Sequence, residues 1–375
     1  ADKALDLDVE LAGDVGVALA ALKRAGVKVK SNLPPGAVAL GKGEFRLKVT
    51  GKLDEGLKVS LPEAKLRVAG GRVVLDGDVT LVRGEADAEG KRPLGLDRLH
   101  TDISLQGVRL SSLAALRQKK LRGLDGNVTG SIHLRGTKQS PEAEVDLAVR
   151  ARRTDDSSAP ERVVDVRAKA RGNRLDADVK LMKRGSSGET TLAKLDAELP
   201  VRLSGKRGLD RGRPLRVKLD VARRTLGEIL ELLPPEIAAK VKAPKETELE
   251  AHVDLGGSAN ALKGDVALDV TTQVPLAPAR QRLSLRANVT PAGKGSRAEA
   301  KLRAFLDERA PAALSLNADA DFAASPLTPE GRRSVSWRLE GELLPQRLEA
   351  LPLPPERKQG LSGTVGLALS LQGNA

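Results

Sequence analysis

The sequence predicts a mostly β protein, a long antiparallel sheet curled into an open, solenoid-like groove with a few short helices. Three observations carry that expectation. Apolar and charged residues alternate with period two in segment after segment, as in Leu5, Leu7, Val9 and Leu11, which is the pattern of a strand with one solvated face. Glycines, prolines and polar clusters interrupt these segments at short intervals and read as hairpin turns. A unit of short helix, strand, turn and strand returns along the chain, which marks a repeat architecture.

The clearest copy of that unit is residues 109–149. Ser111-Ser112 are good helix N-caps before the apolar turn Leu113 to Leu116, and the basic link Arg117 to Arg122 ends the helix. Val128, Gly130, Ile132 and Leu134 then alternate with polar residues. Gly136-Thr137 to Pro141 turns the chain into Ala143, Val145, Leu147 and Val149, with Glu142, Glu144, Asp146 and Arg150 on the opposite face. A second copy starts at Thr225 and leads to Leu249, Ala251, Val253 and Leu255. A third runs from Arg347-Leu348-Glu349-Ala350-Leu351 to Val365, Leu367, Leu369 and Leu371. The strand-ending glycines Gly13, Gly136, Gly256 and Gly373 recur about every 120 residues. The whole chain, 1–375, therefore reads as one continuous repeat array with approximate repeats 14–136, 137–256 and 257–373. Residues 1–13 are the tail of a preceding unit, so the chain reads as a piece of a longer polypeptide.

Between these copies the strands follow in order. Phe45-Leu47-Val49, Leu57-Val59-Leu61, Leu66-Val68 and Val73 to Leu81 read as four separate strands; Val15 to Ala21 reads as a return strand, and Ala18 to Lys23 equally as a helix. An acidic turn follows at Glu85 to Gly90, then Ile103-Leu105. Further on come Val164 to Ala170, Leu175 to Leu181, Leu195 to Leu203 and Leu215 to Val221, with polar loops at Arg153 to Arg162 and Lys183 to Glu189. The last third adds Val266 to Val270, Leu283 to Val289, Ala300 to Leu306, Leu314 to Phe322 and Val335 to Leu339. About two dozen strands, stacked ~4.8 Å apart, would reach on the order of 100 Å.

Composition narrows the architecture. Aromatic residues are 1% of the 375, with three Phe, one Trp and no Tyr, and there is a single Met. A sandwich or closed barrel must fill its interior at crystal-like density, and Val, Leu and Ala alone lack the variety of volume for it. An open trough needs only a uniform lining. Disorder is excluded by the sustained period-two alternation.

The net charge of +13 comes from 63 basic and 50 acidic residues that are interspersed rather than clustered. Without aromatic stacking platforms this does not read as a nucleic-acid surface. No cysteine is present, which removes disulfides, Cys-ligated zinc and thiol catalysis. The longest apolar run, Val15 to Leu22, is far too short to span a bilayer.

Neither catalysis nor a metal or cofactor is expected. His100, His133 and His252 are isolated in sequence and read as surface histidines without an acid–base partner. Gly41-Lys42-Gly43 and Gly293 to Ser296 lack phosphate-loop spacing and read as turns. The pairs Asp6/Asp8, Asp176/Asp178 and Asp319/Asp321 fall on polar strand faces, where cross-strand pairing with Lys or Arg is expected. The sequons at Asn127 and Asn288 read as chance matches.

The informative feature is the collective apolar stripe. It is either a core covered by another layer or a surface for an apolar ligand, and three short helices cannot roof it. The residues expected to line it in the first part of the chain are Leu7, Val9, Leu11, Leu47, Val49, Leu75 and Val79. Val128, Ile132, Leu134, Val145, Leu147, Val166, Val179 and Leu181 continue it. Val217, Leu219, Val253, Leu255, Leu268, Leu285 and Leu302 follow, and Leu316, Phe322, Trp337, Val365, Leu367 and Leu369 complete it.

A Leu-rich helix, a glycine-punctuated strand ending in Gly-Thr, a proline turn and a second amphipathic strand together resemble TamB and its AsmA-like relatives. The matching residues are Gly126, Gly130, Gly136-Thr137 and Pro141, and again Gly363 to Gly373. The middle copy, Glu248 to Gly257, departs by replacing the early glycines with charged residues. The resemblance implies a β-taco groove that carries phospholipid acyl chains across the periplasm toward the outer membrane. It also implies a parent protein anchored in the inner membrane of a diderm cell envelope, a part in outer-membrane biogenesis and an Omp85-type barrel partner. The alternative reading of the same pattern is a structural or adhesive β-repeat stalk with a closed, dry core.

Overall fold

In a computed structural model of the chain the described residues are 4–14, 42–52, 55–68, 70–84, 94–110, 124–137, 139–154, 160–185, 188–202, 208–210, 212–230, 244–258, 261–273, 279–293, 295–324, 326, 331, 333–348, 360 and 362–374. They are mostly β, paired antiparallel throughout, with almost no helix. The chain divides into two compact units, Ala1–Thr190 with Val201–Gly208, and Thr191–Pro200 with Leu209–Ala375.

The first unit is a meander of nine strands. They are β1 (Ala4–Asp14), β2 (Lys42–Lys52), β3 (Gly56–Val68), β4 (Gly71–Arg83), β5 (Leu94–Arg109), β6 (Leu124–Thr137), β7 (Pro141–Arg153), β8 (Glu161–Arg171) and β9 (Arg174–Gly185). Each pairs with the next in sequence. The second unit repeats this plan. Its strands are β10 (Gly188–Leu199, of which residues 191–199 belong here), β11 (Pro214–Thr225), β12 (Glu248–Ser258), β13 (Ala261–Thr272) and β14 (Gln281–Ala292). β15 (Gly295–Phe305), β16 (Leu314–Phe322), β17 (Val335–Arg347) and β18 (Thr364–Asn374) follow. Among the described residues no pairing joins the first and last strands of either meander, and no closed barrel forms.

Several boundaries differ from the sequence reading. Leu57–Leu61 and Leu66–Val68 are one strand, β3, with a bulge between Leu61 and Ala64. Glu63 takes a left-handed φ of 50° there. The extra residue moves the apolar positions from odd to even numbers, so Leu66 faces the same side as Leu61. Proline at 62 suits a bulge, where no ladder hydrogen bond is needed. β10 starts at Gly188 and stops at Leu199 before Pro200, so most of the expected loop Lys183–Glu189 is strand, and Val201–Arg202 is a separate short piece. β17 runs on to Arg347, paired with Thr364, where a helix start was expected. Of the described residues, eighteen strands of nine residues or more are formed, against about two dozen expected.

Only the helix predicted after Thr225 has a described first turn, α1 (Leu226–Leu230). Thr225 Oγ1 accepts the Glu228 N–H at 3.2 Å, and Glu228 Oε2 accepts the Thr225 N–H at 3.3 Å, a reciprocal capping box. The return strand or helix expected after Val15, the helix at Ser111–Leu116 and the acidic turn from Glu85 to Gly90 lie outside the described residues.

The glycines of the 126–136 motif have a steric cause. Gly130 has φ 145°, and a Cβ there would stand 2.0 Å from the carbonyl oxygen of Asp146 on β7. Gly136 has φ 107°, and a Cβ there would stand 2.1 Å from the Ser140 carbonyl oxygen. The hairpin is closed by Thr137, whose N–H donates to Ser140 O at 3.2 Å while its Oγ1 accepts the Ser140 N–H at 3.1 Å.

Candidate functional site

Cross-strand register, rather than any single residue, builds the candidate site. In the second unit Leu195, Leu219, Val253, Val266, Ala287, Ala300, Ala318, Leu339 and Leu371 are successive Cα partners from β10 to β18. A parallel row runs Ala193, Val221, Ala251, Leu268, Leu285, Leu302, Leu316, Gly341 and Leu369. Nine strands at ~4.8 Å make each row about 38 Å long, more than twice the ~15 Å half-thickness of a bilayer core. In the first unit Ala64, Leu75, Ile103, Ile132, Val145, Ala168 and Ala177 form the corresponding row across β3 to β9.

The predicted lining residues fall on these faces. In the first unit Leu7, Val9, Leu47, Val49, Leu75, Val79, Val128, Ile132, Leu134, Val145, Leu147, Val166, Val179 and Leu181 share one side of the sheet. Leu11 is opposite Phe45 in register. In the second unit Val217, Leu219, Val253, Leu255, Leu268, Leu285, Leu302, Leu316, Phe322, Trp337, Leu367 and Leu369 do the same, and Val365 lies on that face of β18.

These faces are thinly covered. Among the described residues the buried apolar clusters are small: Leu110, Val128 and Ala151 in the first unit, Leu215 and Leu262 in the second. Most lining residues are half-buried, and Leu7, Leu369, Leu371 and Leu367 are exposed, the last at 62%. The first unit's apolar face is bounded on β8 and β9 by Arg162 and Lys183, partners in register; Arg162 is 4% exposed.

The opposite faces are laced with charge. Glu142–Arg171, Glu144–Lys169 and Asp146–Arg167 bridge β7 and β8 at 3.0, 3.5 and 3.6 Å. Of the paired aspartates, Asp8 engages Arg46, and Asp319 and Asp321 approach Arg297, across neighbouring strands as expected, whereas Asp176 engages Arg174 and Asp178 engages Lys180 within β9 itself. Exposed pairs of this kind are screened by water and contribute little to stability.

Sequence reasoning missed the partners of the histidines. Each of the three stands opposite an aspartate on a neighbouring strand, as Asp78–His100, Asp102–His133 and Asp220–His252. His133 Nδ1 lies 2.5 Å from Asp102 Oδ1, and His252 Nδ1 lies 2.5 Å from Asp220 Oδ1. His100 Nε2 is 3.1 Å from Asp102 Oδ2, and Arg135 is 3.4 Å from Oδ1. The hydrogen bond from His133 holds the Asp102 carboxyl below the usual carboxylate range, helped by the charges of His100 and Arg135. The only signal for this lay in register, which separates these residues by 22 to 32 positions. Among the described residues no group of His, Asp and Glu has the arrangement of a metal site.

No family model, curated protein or solved structure matches the chain.

Proposed function

We propose that each sheet curls into an open trough whose apolar face shields acyl chains, and that the chain is a segment of a TamB- or AsmA-like lipid conduit. Phospholipids would move through it passively between the inner and outer membranes of a diderm envelope. The parent protein would be anchored in the inner membrane and meet an Omp85-type barrel at the far side. The observation that carries this reading is the pair of unbroken apolar rows across all nine strands of the second unit.

Energetics supports it. Each CH₂ of an acyl chain exposed to water costs about 0.8 kcal/mol, so a bare chain faces a barrier of order 10 kcal/mol. A continuous apolar wall removes most of that cost while the headgroup stays in water. Val, Leu and Ala walls without deep pockets do not trap a chain at one place. The bulges in β3, β5 and β17 are where bending of the sheets would concentrate.

Native mass spectrometry with lipid extraction tests the reading. Several co-purifying phospholipids are expected, and Ile132→Asp, Val253→Asp and Leu369→Asp should lose them while circular dichroism retains the β signal. A folded protein that carries no lipid and refuses added lipid overturns the conduit and leaves a structural stalk.

A further inference from the structure

The charged face of the second unit holds a cavity that the apolar rows do not explain. It has a volume of about 400 Å³ and is lined by side chains of β11 to β14 and of the segment after β15, among them Thr271, Arg282, Ser284 and Arg309. Four carboxylates also line it: Glu248, Glu250, Asp269 and Glu308. Glu248 is bound by Arg223 at 2.5 Å and Arg280 at 2.8 Å, Asp269 is bound by Arg286, and Glu308 is 4.0 Å from Arg280. Glu248, Asp269 and Glu308 thus each approach an arginine other than Arg282 and Arg309.

Arg282 is the unusual member. Its guanidinium stacks on the Phe305 ring, 4.1 Å from the centroid, which fixes the plane of the fork. Its Nε is buried and has no hydrogen-bond partner, a donor that folding has desolvated without return. Arg309 lines the same cavity from the segment that the Glu308 N–H ties to Arg280 O at 2.8 Å. A planar, permanently charged fork held in place is suited to a tetrahedral oxyanion, and the Ser284 hydroxyl adds a neutral donor.

We propose that this cavity binds a phosphate-class oxyanion, held by the guanidiniums of Arg282 and Arg309 with Ser284 beside them. The ligand is a free phosphate compound or the phosphate of a lipid headgroup. The site stands on the charged face and does not depend on what the apolar face carries.

Calorimetric titration of the intact chain with inorganic phosphate, beside co-sedimentation with phosphatidylglycerol vesicles, tests it and separates the two sources. Arg309→Gln, an exposed position, and Arg282→Lys, which keeps the charge but loses the fork, are compared with Lys263→Gln on the same sheet away from the cavity. Saturable phosphate binding weakened at least tenfold by both cavity variants, and less than twofold by Lys263→Gln, supports a free-phosphate ligand. Vesicle binding with the same dependence, without phosphate binding, supports the headgroup. No saturable binding in either arm, or binding that all three variants weaken alike, overturns the site.

Discussion

His133 and Asp102 face each other across β5 and β6, with Nδ1 and Oδ1 2.5 Å apart, and His100 and Arg135 approach the same carboxylate. Asp102 is therefore a hub joining three cations or donors from two strands. Its folded-state pKa lies below the ordinary value, so it adds stability above the carboxylate range, and that stability is lost as pH falls through the depressed pKa. Asp102→Asn removes the contribution at every pH. The variant should be less stable than the parent by about 0.5–1 kcal/mol at pH 7, since the cluster is partly exposed. The difference should close toward zero in strong acid. Urea denaturation at pH 7 and pH 3 measures both, and an unchanged gap at the two pH values would contradict the assignment.

Gly130 offers a sharper test of the strand geometry. Any side chain there collides with the Asp146 carbonyl of β7, and φ 145° is hostile to a β-carbon in its own right. Gly130→Ala should cost more than about 2 kcal/mol, beyond the usual range for a surface substitution. Gly185→Ala, where a Cβ meets nothing within 4 Å, is the matched control and should stay within ~0.5 kcal/mol. Equal thermal shifts in the two variants would show that the close approach is not rigid.

Much of this was legible because strand period is a local property. Leu5 to Leu11 and Leu249 to Leu255 declare their apolar face without knowledge of neighbours. The motif glycines were visible too, although the sequence could not say that Gly130 answers to a carbonyl on the next strand. What failed was what depends on pairing. The step from Leu61 to Leu66 looks like the end of one strand and the start of another, because a bulge at Pro62-Glu63 changes parity without ending the ladder. The histidines looked isolated because their aspartates are set opposite by register, which is fixed by turn length and bulges rather than by sequence proximity. Arg282 and Phe305 were passed over for the same reason: they meet only because β14 and β15 pair at those positions.

The capping box at Thr225 and Glu228 is a local device whose effect should be correspondingly local. Thr225→Ala removes the acceptor for the Glu228 N–H and is expected to cost about 1 kcal/mol. Glu228→Gln keeps the geometry of the box and should cost only a few tenths of that. Amide exchange in residues 226–230 should accelerate in the alanine variant, while protection in β12 and β13 stays as it was. Loss of protection across those strands would mean that α1 supports the sheet.

Leu367 separates binding from folding. At 62% exposure it contributes little to stability, so Leu367→Asp should change the unfolding free energy by no more than ~0.5 kcal/mol. Val253, a half-buried member of the central row, should cost several times more when replaced by Asp, because a charge is then set among apolar neighbours. If the face binds acyl chains, Leu367→Asp should nevertheless weaken a fluorescent fatty acid about fivefold, the equivalent of ~1 kcal/mol of lost apolar contact. Stability unchanged together with affinity unchanged would place the ligand elsewhere on the sheet. Affinity lost at Leu367 with the fold intact would tie acyl binding to the apolar face of β18 itself.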